Sequence, residues 1–168
     1  MGGDISLEQV REVGGEPVAN VRVRSAELTG IDIPEQLVPL AIDEFPVIFI
    51  AAACARGVTR LSGAEELRVK ESDRIQVMAD GLKILGVDAQ PTPDGIVIQG
   101  RGHESAPVFS GGQVDSHGDH RIAMSFSVAA LRSAKPIRIN DCANVATSFP
   151  SFVEQATRVG LQLTTNDK

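Results

Sequence analysis

Tryptophan and tyrosine are missing from this 168-residue chain, and its six Phe are the only aromatic residues. Single-stranded nucleic acids are gripped by stacking bases on aromatic faces, so that class of ligand is disfavoured. Positive charge is also scarce: 16 Lys plus Arg stand against 22 Asp plus Glu, for a net charge of −6. A nucleic-acid binder needs a basic field, and this chain has none globally. An anionic ligand would require a local basic site. The longest apolar run, Val47 to Ala55, is roughly half a membrane span, so no membrane partner is expected. No basic start or apolar core marks Met1-Gly2-Gly3-Asp4 as a signal peptide. Cysteine is limited to Cys54 and Cys142, without metal-ligand spacing; both are expected to be buried, reduced thiols of a cytoplasmic protein. Three His without His-x-x-x-His or paired Cys leave no zinc signature, and no metal or cofactor is expected.

What is present is an ordinary globular composition, 42% hydrophobic and 23% charged. Val21 and Val23 alternate with Arg22 and Arg24, the pattern of a half-buried strand, with Gly14-Gly15 and Gly30 as turn signals on either side. The Ala-rich stretch from Val47 to Ala55 follows a Pro and precedes Gly57, which predicts a central buried helix. Val58 to Leu61 reads as a strand. Ser72 is a candidate N-cap for an amphipathic helix bearing Ile75, Met78, Leu82 and Leu85 and ending at Gly86. Asp88-Ala89-Gln90 and Ile96-Val97-Ile98 read as strands around a Pro-Asp-Gly turn. The second half repeats this grammar: a helix from His120 to Arg132, a strand at Ile137 and Ile139, and a helix starting at Thr147-Ser148-Phe149-Pro150. That last helix carries Phe152, Val153, Ala156 and Val159 on one face, then Gly160, then a strand at Leu161 to Leu163. Gly2-Gly3-Asp4-Ile5 resembles Gly86-Val87-Asp88-Ala89, so the N-terminus looks like the tail of a further unit. The chain is thus expected to be α/β (α+β), built from repeats.

Three charged clusters sit at predicted helix starts. Lys70, Glu71, Asp73 and Arg74, with Arg68 just before them, form the densest. On charge alone this is a solvated helix start with local ion pairs. The alternative is an anion site with an acid beside it, since Lys and Arg donate to carboxylate or phosphate and a helix N-terminus adds partial positive charge. Gly118-Asp119-His120-Arg121 is the second cluster. Asp119 suits a helix cap, and Arg121 at the mouth of an apolar helix suggests an anion. The third is Ile42-Asp43-Glu44-Phe45-Pro46, with Asp43 at the mouth of the first buried helix. No G-x-x-x-x-G-K-[ST], G-x-G-x-x-G or G-x-S-x-G motif is present.

These same clusters, RVKESDR at 68–74, GDHRIAMSF at 118–126 and IDEFP at 42–46, together with TSFPSF at 147–152, resemble the 5-enolpyruvylshikimate-3-phosphate (EPSP) synthase family. The resemblance implies a fold of two lobes, each made of repeated β-α-β-α-β-β units around buried parallel helices. This chain would be one incomplete lobe, the C-terminal one: residues 1–30 the tail of one unit, 31–100 a second unit and 101–168 a third. The implied reaction moves enolpyruvate from phosphoenolpyruvate to the 5-hydroxyl of shikimate 3-phosphate by addition and elimination. The resemblance assigns Asp43 as base for that hydroxyl and as a contact to shikimate 3-phosphate, with Lys70 beside it. It assigns Glu71 as proton donor and acceptor at the phosphoenolpyruvate carbon. Arg74 and Arg121 would hold phosphoenolpyruvate, with Asp119, His120 and Arg68 in supporting positions and Asp73 structural. The implied partners are the two substrates, the absent N-terminal lobe, and glyphosate as a weak inhibitor. Many family members carry Asn-Trp where this chain has Glu66-Leu67, and a Lys where it has Thr147. Two other readings compete: a non-catalytic α/β module, and the sister family acting on a UDP-amino sugar. Retention of Asp43, Glu71, Arg74 and Arg121 argues against the first. The VKESDR and DHRIAM segments argue against the second.

Overall fold

The computed structural model describes residues 1–104 and 106–165. It opens with an antiparallel hairpin, β1 (Asp4–Val13) and β2 (Glu16–Arg24), turning at Gly14-Gly15. Helix α1 (Phe45–Cys54) leads into β3 (Arg56–Leu61), and α2 (Arg74–Ile84) leads into β4 (Asp88–Thr92) and β5 (Gly95–Arg101). These strands form one antiparallel sheet ordered β3-β5-β4. Residues 29–33 run parallel to β3, with Gly30 N donating to Arg56 O at 2.8 Å and Ile33 N to Arg60 O at 2.8 Å. The segment before α1 and the strand after it are therefore two arms of a β-α-β crossover. The second half does the same. Strand β6 (Gly112–Asp115) pairs in parallel with β7 (Ile137–Asn140), and α3 (His120–Ala129) connects them. Two short helices, α4 (Asn144–Ser148) and α5 (Phe152–Arg158), follow.

The core lies where α1, α2 and α3 pack together. Phe45, Phe49 and Ile50 of α1, Ile75, Met78 and Leu82 of α2, and Ile122 and Phe126 of α3 are all buried. The contact between α2 and α3 depends on Gly81: a Cβ there would lie 2.1 Å from the ring of Phe126. Helices α2 and α5 end alike. Gly86 (φ +86°) donates to Lys83 O at 3.0 Å while Val87 donates to Leu82 O at 2.9 Å. Gly160 (φ +101°) donates to Thr157 O at 3.0 Å while Leu161 donates to Ala156 O at 3.0 Å. Both ends are Schellman motifs, which need a residue that tolerates the left-handed conformation.

Several sequence expectations change. Residues 21–23 do form a strand, but Val21 and Val23 are exposed, because β1 and β2 pair only with each other. Gly30 is not a turn; it is extended, and a side chain there would strike the Val58 backbone at 2.3 Å. The N-cap of α2 is Asp73, whose carboxylate accepts from Gln76 N at 3.0 Å, while Ser72 turns its hydroxyl to Asp119. The helix expected from Thr147 is broken at Phe149 (φ −142°, ψ 76°), and no residue of α5 is fully buried. Leu161 to Leu163 form no strand. Cys54 is half-buried, and its burial pushes the thiol pKa up, whereas Cys142 is exposed.

Substituting Gly81 tests the α2–α3 contact. Gly→Ala in an open helix stabilises; here Gly81→Ala is expected to destabilise by about 1–3 kcal/mol in urea unfolding, the usual cost of overpacking. The hairpin makes a second expectation. Ile5 faces Val23 and Leu7 faces Val21 across the pair, and all four are exposed, an apolar strip on a sheet with open edges. Sedimentation velocity should show association rising with concentration, relieved by joint Leu7→Lys and Val21→Lys substitution; a monomer at every concentration would contradict this.

Candidate functional site

Asp43 and Glu44 immediately precede α1, Glu71 and Arg74 flank the start of α2, and Asp119 to Arg121 open α3. Side-chain bonds join these three places, so the N-termini of α1, α2 and α3 meet. Three helix dipoles present their positive ends to one spot, which favours carboxylates of the protein and anions from outside.

Arg74 is the centre. It is the first residue of α2, yet its side chain is only 1% exposed. Its Nε donates to Asp119 Oδ2 at 2.8 Å, its Nη1 to Asp43 Oδ1 at 2.9 Å and its Nη2 to Glu71 Oε2 at 2.6 Å. One guanidinium thus binds three carboxylates, each from the segment leading into a different helix. Asp119 is fully buried and does two jobs. Its Oδ1 caps α3 by accepting from Arg121 N at 3.0 Å, while its Oδ2 accepts from Arg74 and, at 3.1 Å, from Ser72 Oγ. Desolvation works against the Arg74 charge, but bonds to Asp119 and Asp43 more than offset it and raise the pKa.

Asp43 and Glu71 differ from Asp119 in being open to solvent, at 45% and 50% exposed. Desolvation acts upward on Asp43, but the Arg74 hydrogen bond and the nearby Lys70 and Arg121 charges outweigh it and hold its carboxyl below the ordinary value. Lys70 Nζ sits 2.5 Å from Glu66 Oε1 and 3.6 Å from Asp43 Oδ1, and the bond to Glu66 leads in raising its pKa. Arg121 Nη1 donates to the Asp43 carbonyl at 2.9 Å and to Glu44 Oε1 at 2.9 Å.

Six of the candidate residues (Asp43, Lys70, Glu71, Arg74, Asp119 and Arg121) therefore form one connected cluster. Arg68 does not join it. Its guanidinium donates to Pro93 O at 2.7 Å, to Thr92 O and to Asp73 Oδ2 at 2.6 Å, which ties the α2 cap to the β4–β5 turn. His120 is half-buried and makes no side-chain hydrogen bond among the described residues. Thr147 is exposed on α4. Sequence reasoning missed Glu66, although its i,i+4 spacing to Lys70 was a usable signal. It also missed the pairing of Glu44 with Arg121, for which no local signal exists. Asn144 is a further omission: its Nδ2 donates to Gly118 O at 2.6 Å and fastens α4 to the loop before α3. Among the described residues no group of His, Cys, Asp and Glu is arranged to hold a metal. No helix there is long and apolar enough to cross a membrane.

Such a cluster can do two things: hold an anion on its cations, and move protons on the two open carboxylates fixed to a common guanidinium. Known proteins place the chain in a family. The profile of the family described as EPSP synthase (3-phosphoshikimate 1-carboxyvinyltransferase) matches residues 1–156. The chain is 68% identical over 163 residues to the 3-phosphoshikimate 1-carboxyvinyltransferase of Methylococcus capsulatus, covering 97% of this chain and 36% of that one. It is 65% identical over 167 residues to the Alkalilimnicola ehrlichii protein of the same name, covering 99% and 36%. A solved EPSP synthase from Acinetobacter baumannii superposes with a TM-score of 0.96 at 57% identity, covering 99% of this chain and 38% of that one. The chain belongs to the EPSP synthase family, and it spans about a third of the length of the curated relatives it matches.

The Arg74 hub can be tested directly. Arg74→Gln leaves Asp119 buried without its charge partner and should cost about 3–5 kcal/mol in urea unfolding. In the parent chain the Asp43 carboxyl should titrate below the ordinary value of 3.8 when followed by NMR. Because the folded pKa is the lower one, the stability this gives is present above the unfolded value and lost as pH falls through the folded one. If Arg74→Gln folds, the Asp43 titration should move upward; no movement would show that Arg74 does not control it.

Proposed function

We propose that this chain supplies part of the active site for transfer of enolpyruvate from phosphoenolpyruvate to the 5-hydroxyl of shikimate 3-phosphate. The observation that carries the reading is the fixing of Asp43 and Glu71 on the single guanidinium of Arg74. The reaction needs one proton removed while another is delivered, and two carboxylates held at a common point suit that. Asp43, kept ionised by Arg74 and Lys70, takes the proton of the 5-hydroxyl, whose oxygen bonds to the central carbon of phosphoenolpyruvate. Glu71, the second carboxyl group on Arg74, delivers a proton to the methylene carbon. The carbon–oxygen bond to phosphate then breaks, Glu71 takes a proton back from the new methyl group, and the proton held by Asp43 passes through solvent to the released phosphate, so both carboxyl groups return to their starting states. Lys70 contacts the shikimate moiety beside Asp43. Arg121, 31% exposed, faces the phosphoenolpyruvate anion, and Arg74 adds its positive charge from the buried side of the cluster.

Within the cluster, Lys70, Arg74 and Arg121 face Asp43, Glu44, Glu66, Glu71 and Asp119. Carboxylates outnumber cations, while both substrates are anionic. The reading therefore assigns further cations to the rest of the longer enzyme, its other lobe, and makes this chain inactive alone. We place the reaction in the cytoplasm, a compartment that keeps thiols such as Cys54 and Cys142 reduced. Glyphosate, a mimic of phosphoenolpyruvate, is read as a weak inhibitor of the assembled site.

The test is to mix this chain with the separately produced remainder of a close relative and follow phosphate release from the two substrates. No turnover is expected from either piece alone. The mixture should turn over, and Glu71→Gln should lower its rate by about 10²–10⁴-fold, the usual worth of a general acid–base. Turnover by this chain alone, above its own Glu71→Gln variant, would overturn the division of the site. A mixture indifferent to that substitution would overturn the role of Glu71.

A further inference from the structure

Glu44 is the N-cap residue of α1, yet its side chain makes no capping bond. Its carboxylate crosses instead to α3 and accepts from Arg121 Nη1 at 2.9 Å. The αR backbone of Glu44 (φ −95°, ψ −8°) keeps its side chain from turning back to cap α1, and its charge suits the helix mouth without requiring the bond to Arg121. The two partners are unequally held. The Glu44 side chain is 61% exposed, whereas Arg121 is 31% exposed and is also anchored, through the same Nη1, to the backbone carbonyl of Asp43 at 2.9 Å. Removal of the Glu44 carboxylate would therefore leave the guanidinium in place with a vacated donor directed at the joint mouth of α1 and α3.

We propose that Glu44 is a placeholder: its carboxylate holds the Nη1 edge of the Arg121 guanidinium, and an incoming anionic substrate displaces it there. Glu44 thereby sets how tightly the site takes a phosphate- or carboxylate-bearing ligand. This rests on the reading of Arg121 as an anion contact. Displacement exchanges one carboxylate–guanidinium bond for another, so the gain on binding is reduced by whatever the Glu44–Arg121 pair contributes. An exposed pair of this type is weak, which suits a contact meant to open.

The test uses this chain itself with phosphoenolpyruvate as the probe, following the Arg121 Nε–H signal and the amides of residues 118–122 by NMR. Glu44→Gln should bind about two- to fivefold more tightly than the parent, the factor an exposed ion pair corresponds to. Glu44→Asp keeps the charge but shortens the reach, so it should also bind more tightly, with thermal stability unchanged because the negative charge at the mouth of α1 is kept. A gain in Glu44→Gln with none in Glu44→Asp would mean a general field effect and would overturn the placeholder. Unchanged or weaker binding in both variants would show that Glu44 is a strut, and would overturn it as well. Arg121→Gln separates the two readings. If it leaves parental binding intact, the anion role of Arg121 fails, and the placeholder with it. If it abolishes binding while the Glu44 variants behave like the parent, only the placeholder fails.

Discussion

The buried bond between Arg74 and Asp119 is the constraint on which the rest of the site depends. Both side chains are out of water, and neither charge could be left there alone without a cost of several kcal/mol. Each satisfies the other, and each has capacity left over. Asp119 uses its second oxygen to cap α3; Arg74 uses its two terminal nitrogens on Asp43 and Glu71. A structural ion pair is thereby converted into a positioning device. The first residue of α2 determines where a carboxylate at the mouth of α1 and another in the preceding loop stand, and it does so from a buried place.

The α/β repeat explains why this can happen at one point. Each β-α-β crossover sends its helix back from the end of a strand, and the helices α1 and α3, from two successive crossovers, pack together with α2 through an apolar core. Their N-termini consequently share one end. Gly81 lets α2 come close to Phe126 of α3, which sets the distance that a guanidinium then spans. Core packing thus fixes the spacing, the helix dipoles fix the preferred sign of what collects there, and the polar side chains refine the geometry.

Much of this was legible in the sequence, for reasons that are local. Asp43 and Asp119 each stand just before an apolar run, and Glu71 and Arg74 lie three apart at a helix start, so their placement at helix mouths follows from chain position. Their mutual bonding does not. Arg74 and Asp119 are 45 residues apart, and no period or propensity says which carboxylate will meet which cation. The same limit explains Ser72: its chemistry suits a cap, but the neighbouring Asp73 takes that role because a distant Asp119 takes the hydroxyl. It explains the hairpin too. Alternation in β2 identifies an apolar face without saying what covers it, and the described residues contain nothing that does. At Phe149-Pro150 the periodic pattern of apolar residues hid a break, because Pro disfavours helical conformation in the residue before it whatever the pattern on either side.

The electrostatics of the resting cluster also bear on how such a site can accept an anion. Every cation in it already has a carboxylate partner: Lys70 has Glu66, Arg121 has Glu44, and Arg74 has three. In an unpaired state these cations would hold water, and binding would require that water to be stripped from each. In the paired state they are already oriented toward an oxygen anion, so an outside carboxylate or phosphate would enter by exchange. Such an exchange costs least where the protein carboxylate is exposed, as for Glu44 and Glu66, and most at Asp119, which is buried and also caps α3. Burial thus ranks the carboxylates: Glu44 and Glu66 are the outermost, while the fully buried Asp119 holds Arg74 in its orientation.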